Sequence, residues 1–153
     1  MVLLPAASGA QQSKEAAKAD IALWSQSISA AFTPGYWEGE TLEIGGDGQV
    51  VKKNSDPECI KPGEASKLGT QLAGMFARIV ENADCATTAG KPGSLAFTLK
   101  CTVGGGKAMS FNSSGTYSDG QVFWAIEMNA EGEGAPRANS LRVTAKRTKT
   151  TCS

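Results

Sequence analysis

Four cysteines, Cys59, Cys85, Cys101 and Cys152, are the groups in this 153-residue chain best suited to covalent chemistry, and the chain has no histidine to activate them. A thiol becomes a nucleophile when a base or a cationic neighbour lowers its pKa. Without imidazole, no Ser-His-Asp or Cys-His arrangement can be assembled, and no Cys₂His₂ or His₃ zinc site either. The gaps between the cysteines also lack the close C-x₂-C pairs that a Cys₄ metal site uses. Oxidation to disulfides is the chemistry that remains, and four cysteines allow three connectivities. Cys85 and Cys101 flank the turn-forming Lys91-Pro92-Gly93 at similar distances, which would set them opposite each other on adjacent strands. Cys59 is then left for Cys152. Such bridges persist outside the reducing cytosol.

Other spacings that could carry chemistry give way to simpler readings. Glu38, Glu40 and Glu43 lie along one predicted strand, with the first two on the same face. Paired carboxylates serve glycosidases, but this spacing fits a solvated strand face more simply. Gly104-Gly105-Gly106-Lys107 ends in lysine yet joins two strands instead of opening a helix, so it reads as a hairpin turn and not a phosphate loop. Gly45-Gly46-Asp47-Gly48 has a single acid and lacks the repeated acids of a calcium loop. Arg142, Lys146, Arg147 and Lys149 alternate like the exposed side of a strand. Nothing selects a role for Arg78 or Arg137. Tyr36, Trp37, Phe97, Phe111, Phe123 and Trp124 are scattered over strands and read as core. The sequence therefore names no catalytic residue, no cofactor-binding residue and no metal ligand.

Fifteen basic and fifteen acidic residues cancel. No global field draws such a chain onto nucleic acid or anionic lipid. No apolar run approaches the roughly 18–20 residues needed to span a bilayer as a helix, so a transmembrane segment is not expected. Residues 1–10 end in small residues, Ser8-Gly9-Ala10, and read either as the remnant of a secretory signal or as a disordered tail.

The elements that must position these residues follow from periodicity. Between Gln11 and Phe32 the large apolar residues Ile21, Trp24, Ile28 and Phe32 recur three to four apart, which predicts an amphipathic helix capped by Ser13 and ended by Thr33-Pro34-Gly35. Alternation then takes over. Strands are predicted at Tyr36 to Ile44, from Gln49 toward Cys59, at Asp84 to Thr88, Leu95 to Val103, Lys107 to Tyr117, Gln121 to Ala130 and Ser140 to Thr150. A helix opening at Pro62-Gly63-Glu64-Ala65, with Leu68, Leu72, Met75, Phe76 and Ile79 on one face, is inserted after the second strand. The expected fold is mainly β (α+β): a curled antiparallel meander of about seven strands with one inserted helix, plus the N-terminal helix. The expected division is residues 1–10 as tail, 11–33 as helix and 34–153 as a disulfide-stapled β domain.

From Pro34-Gly35-Tyr36-Trp37-Glu38 onward the chain resembles a known family. Cys59 stands just before a short helix, Asp84-Cys85-Ala86 opens a strand, Leu99-Lys100-Cys101 closes the next one before glycines, and Gly115-Thr116-Tyr117-Ser118 follows. The basic strand Lys146-Arg147-Thr148-Lys149-Thr150-Thr151-Cys152 ends on the last cysteine. This order resembles the bacterial domain of unknown function 3617 family, small exported proteins of the cell envelope. The resemblance implies export to the periplasm, oxidised cysteines and a compact β-rich domain, and it supplies no catalytic residue. The long N-terminal helix departs from that pattern. The functional expectation is a non-enzymatic binding or interaction module of the envelope, with a small ligand or an envelope protein as partner. The alternatives are a hydrolase working with carboxylates alone and a structural component docking a partner through its N-terminal helix.

Overall fold

The computed structural model describes residues 12–131 and 138–152. Residues 1–10, Arg137 and most of the expected loop after Glu131 lie outside the described residues. The first helix, α1 (Lys14–Ala31), begins where the sequence predicts, with the Ser13 hydroxyl accepting the Ala16 N–H at 3.1 Å. The strands are β1 (Gly35–Gly45), β2 (Val50–Asn54), β3 (Glu58–Ile60), β4 (Asp84–Ala89), β5 (Phe97–Val103), β6 (Lys107–Ser118), β7 (Gln121–Ala130) and β8 (Ala138–Lys149). Helix α2 (Glu64–Asn82) stands between β3 and β4. They form an antiparallel sheet in the order β2-β1-β8-β7-β6-β5-β4, with β3 also paired to β1. The meander holds from β4 to β8, and β1 then joins β8, so the first and last strands are neighbours. The sheet is open, with β2 and β4 at its edges.

The strand expected from Gln49 toward Cys59 is in fact two strands, which makes eight in place of about seven. Asn54 Oδ1 accepts the Asp56 N–H at 2.9 Å, a local turn that interrupts the ladder without reversing the chain, and Pro57 then has no N–H to donate to a ladder. Both pieces still pair with β1. Thr41 to Ile44 partner β2, and Gly35 to Trp37 partner β3.

One face of the sheet buries against the helices. Trp24 of α1 is 1% exposed at the centre of an aromatic cluster, stacked on Phe97 at 4.8 Å and edge-on to Phe76, Phe111 and Trp124. Its Nε1–H and that of Trp124 both donate to the Ser113 hydroxyl, at 3.1 and 2.8 Å, and Ser113 donates to the Leu95 carbonyl at 2.6 Å. The apolar stripe of α1, with Ile21 and Ile28 also buried, is thus occupied within the chain. A partner docking on that stripe would have to displace the core.

Helix α2 turns only part of its expected apolar face inward. Phe76 and Val80 are buried, while Leu68 and Met75 are 41% and 50% exposed. It packs chiefly on α1, and Phe76 reaches the sheet through Phe111 at 4.7 Å. Gly69 makes this close approach possible, because a Cβ there would stand 2.8 Å from the Ser25 carbonyl oxygen and 2.9 Å from the Ser29 hydroxyl. The edge strand β4 is covered from the same side: the Thr87 N–H donates to Gln12 Oε1 at 2.6 Å, and its hydroxyl to Asp20 Oδ2 at 2.7 Å.

Ser113→Ala leaves two buried indole N–H groups without an acceptor, and the expected loss is about 2–4 kcal/mol by urea unfolding. Gly69→Ala is expected to lower the urea midpoint by overpacking. Gly74→Ala, where a Cβ meets open space on the same helix, is expected to raise it and to add about 0.5–1 kcal/mol of stability. Equal effects at the two glycines would contradict the helix packing.

Candidate functional site

The break between β2 and β3 does more than add a strand. Because β2 pairs only from Thr41 onward and β3 only up to Trp37, residues 38–40 of β1 have no strand partner on the side away from β8. The linker from Asn54 to Glu58 stands off from this stretch, and a cavity of about 310 Å³ opens between them. That volume lies at the small end of ligand pockets.

Alternation decides what lines it. Trp37, Gly39 and Thr41 of β1 share the inner face with their β8 neighbours Val143 and Ala145. Phe32 closes one end, and Ile60, Ala65 and Leu68 form the opposite wall. Trp37 is held in place because its Nε1–H donates to the Thr33 carbonyl at 2.7 Å, leaving its ring to face Phe32, 5.8 Å away. Gly39 is the only residue type that fits its position, since a Cβ there would overlap the Thr144 carbonyl oxygen. The floor is therefore bare backbone flanked by aromatic and aliphatic carbon.

The rim is acidic. Glu58 is the register partner of Trp37, which places both on the inner face, and Asp56 and Glu64 complete the edge. Glu64 Oε2 accepts the Lys61 N–H at 3.0 Å at the start of α2. No lysine or arginine is among the lining residues. The groups with resolved pKa shifts lie elsewhere: Lys18 and Glu81 pair across α1 and α2, and the hydrogen bond between them raises the lysine and lowers the glutamate.

The three glutamates singled out from sequence do not converge. Glu38 and Glu40 face the outer side of the sheet, where Glu40 pairs with Lys53 at 3.3 Å and Glu38 stands opposite Lys146. Glu43 faces the inner side opposite Leu141. Among the described residues no carboxylate is buried and no group of acids, cysteines or histidines is placed to hold a metal ion. Both glycine segments are hairpin turns: Gly48 donates to the Gly45 carbonyl at 2.9 Å, and Gly104–Gly106 links β5 to β6. Arg142 and Lys146 are exposed as expected, and Lys149 lies over the Tyr36 ring at 5.5 Å. Arg147 departs from that face. Its guanidinium donates to Thr33 Oγ1 at 2.7 Å and Asp119 Oδ1 at 2.8 Å, fastening the α1–β1 connection behind Trp37 to the β6–β7 turn. Arg78 is exposed on α2.

The cysteines stand as two pairs at disulfide distance. Cys85 and Cys101 are register partners across β4 and β5, with Cα atoms 4.1 Å apart. Cys59 and Cys152 have Cα atoms 5.4 Å apart, which ties β3, a wall of the groove, to the end of the chain after β8. No helix among the described residues is long and apolar enough to cross a membrane.

This order of elements and cysteines over the β region has a counterpart. Residues 32–152 match the family described as protein of unknown function (DUF3617). The chain belongs to this family. The family match takes in every residue of the groove and all four cysteines, and it starts after the helix that carries Trp24. No curated protein and no solved structure matches the chain.

The groove was not legible as a site in the sequence, although Asn54, Asp56 and Pro57 mark the break that forms it. Peptide mapping without reduction is expected to recover Cys85 joined to Cys101 and Cys59 joined to Cys152. A peptide joining Cys59 to either of the other two would contradict the register of β3.

Proposed function

We propose that this chain is an exported envelope protein that binds a small, mainly apolar ligand in the groove between β1, the 54–60 segment and the first turns of α2, without catalysing a reaction. The observation that carries the reading is the unpaired stretch of β1 at residues 38–40, which opens onto a cavity floored by Trp37, Val143 and Ala145. Such a site offers apolar area and a few backbone polar groups, the usual composition of a small-molecule pocket. The two cysteine pairs support a location in the periplasm or outside the cell, since cross-links of this kind persist there. Glu38, Glu40 and Glu43, the carboxylates the hydrolytic alternative would draw on, are spread over two faces of the sheet and do not face a common point.

The test uses 1-N-phenylnaphthylamine, whose emission rises in apolar surroundings, with octanol as competitor. Saturable uptake of one probe per chain is expected, and octanol should displace it. Ala65→Phe projects a ring into the groove from a partly exposed helix position and is expected to weaken uptake about tenfold, the effect of losing roughly 1.4 kcal/mol, with the urea midpoint unchanged. Uptake that this substitution leaves unaltered would place the probe elsewhere and overturn the reading.

A further inference from the structure

We infer that the ligand of this groove is a cationic amphiphile, a short alkyl or aryl chain carrying an ammonium head. The inference rests on the groove reading above and adds the charge and form of the occupant. Asp56, Glu58 and Glu64 bring three carboxylates to one opening, and the lining contains no lysine or arginine to answer them. Of the nearby cations, Lys53 is engaged with Glu40 on the outer face, Arg147 with Asp119 and Thr33, and Lys149 over Tyr36. The chain as a whole is neutral, so the acidity belongs to this opening and not to a general excess.

The form of the cation follows from how the acids are spread. No set of three acids among the described residues can hold a metal ion, so the arrangement suits a bulky organic head whose charge is shared among separated carboxylates. An organic cation carries its charge with no acceptor of its own, which matches an opening made of carboxylates. Behind the rim, Phe32, Trp37, Ile60, Leu68 and Val143 offer only carbon, which fits the tail. An anionic head would meet three like charges at the entrance.

The acids are solvent-exposed, so their effect is moderate and sensitive to salt. Isothermal titration of the full chain with octylamine, octyltrimethylammonium, octanol and octyl sulfate at neutral pH separates head from tail. The two cations are expected to bind about tenfold tighter than octanol, and octyl sulfate more weakly than octanol, with the preference shrinking in about 1 M salt. In the Asp56→Asn, Glu58→Gln double variant the cations should fall toward octanol, with the urea midpoint unchanged to show that the chain is still folded. Equal binding of all four heads, or tightest binding of octyl sulfate, would overturn the charge assignment and leave the groove reading standing. Failure of octanol and both cations to bind would overturn the groove reading, and this inference with it.

Discussion

A single hydroxyl at the centre of the core organises this structure. Ser113 accepts two indole N–H groups and donates its own proton to the Leu95 carbonyl, so a buried polar atom surrounded by aromatic rings has its bonding capacity filled. The two indoles come from different elements, Trp24 from α1 and Trp124 from β7, and the carbonyl comes from the approach to β5. Four parts of the chain therefore share one point. Apolar packing alone would let α1 slide or rotate over the sheet with little loss, because hydrophobic attraction has no direction. The indole hydrogen bonds select one register for the helix, and the stack of Trp24 on Phe97 selects one orientation for its ring.

From that point order extends outward to the groove. Phe32, the cap of α1, lies 6.0 Å from the Trp124 ring and 5.8 Å from that of Trp37, so the end wall of the groove is the outer shell of the same aromatic cluster. Arg147 holds the connection between Phe32 and β1 from behind. The opposite wall is less well supported. The linker from Asn54 to Asp56 is exposed, and β3 pairs with β1 over only three residues, to which the Cys59–Cys152 pair adds a second attachment. The fold thus has one wall of packed rings and one wall held by a short ladder and a covalent pair. In the chain-entropy account, closing a loop near a hundred residues contributes about 4–5 kcal/mol.

Much of this was legible in the sequence because it rests on periodicity. Ile21, Trp24 and Ile28 repeat at helical spacing and are buried, and Leu95, Phe97, Leu99 and Cys101 alternate and face the core. The turns at Gly45 to Gly48 and Gly104 to Gly106 also follow from local chemistry. What escaped is non-local. Alternation says that Trp37 and Val143 share a face only once β1 is known to lie beside β8, and nothing in the intervening hundred residues announces that neighbour. The same holds for Ser113, a serine among serines in Ser110 to Ser114 until two tryptophans from distant segments point at it. Arg147 looked like one of four solvated cations, yet its partners lie in two separate turns. The break after Asn54 is marked locally by Pro57, but a proline shows only that the ladder is interrupted and not the opening this leaves beside β1.

The dependence of the whole on Ser113 can be measured without altering a residue. Hydrogen exchange of the three indole Nε1 protons, followed by NMR as a function of denaturant, reports whether each donor is released by local opening or only by unfolding of the entire core. The Nε1 protons of Trp24 and Trp124 are predicted to exchange together, as slowly as the most protected amides of β5 and β6. Rapid exchange at Trp24, released along with the amides of α1 while Trp124 stays protected, would show that the helix is a detachable cover and would contradict this account.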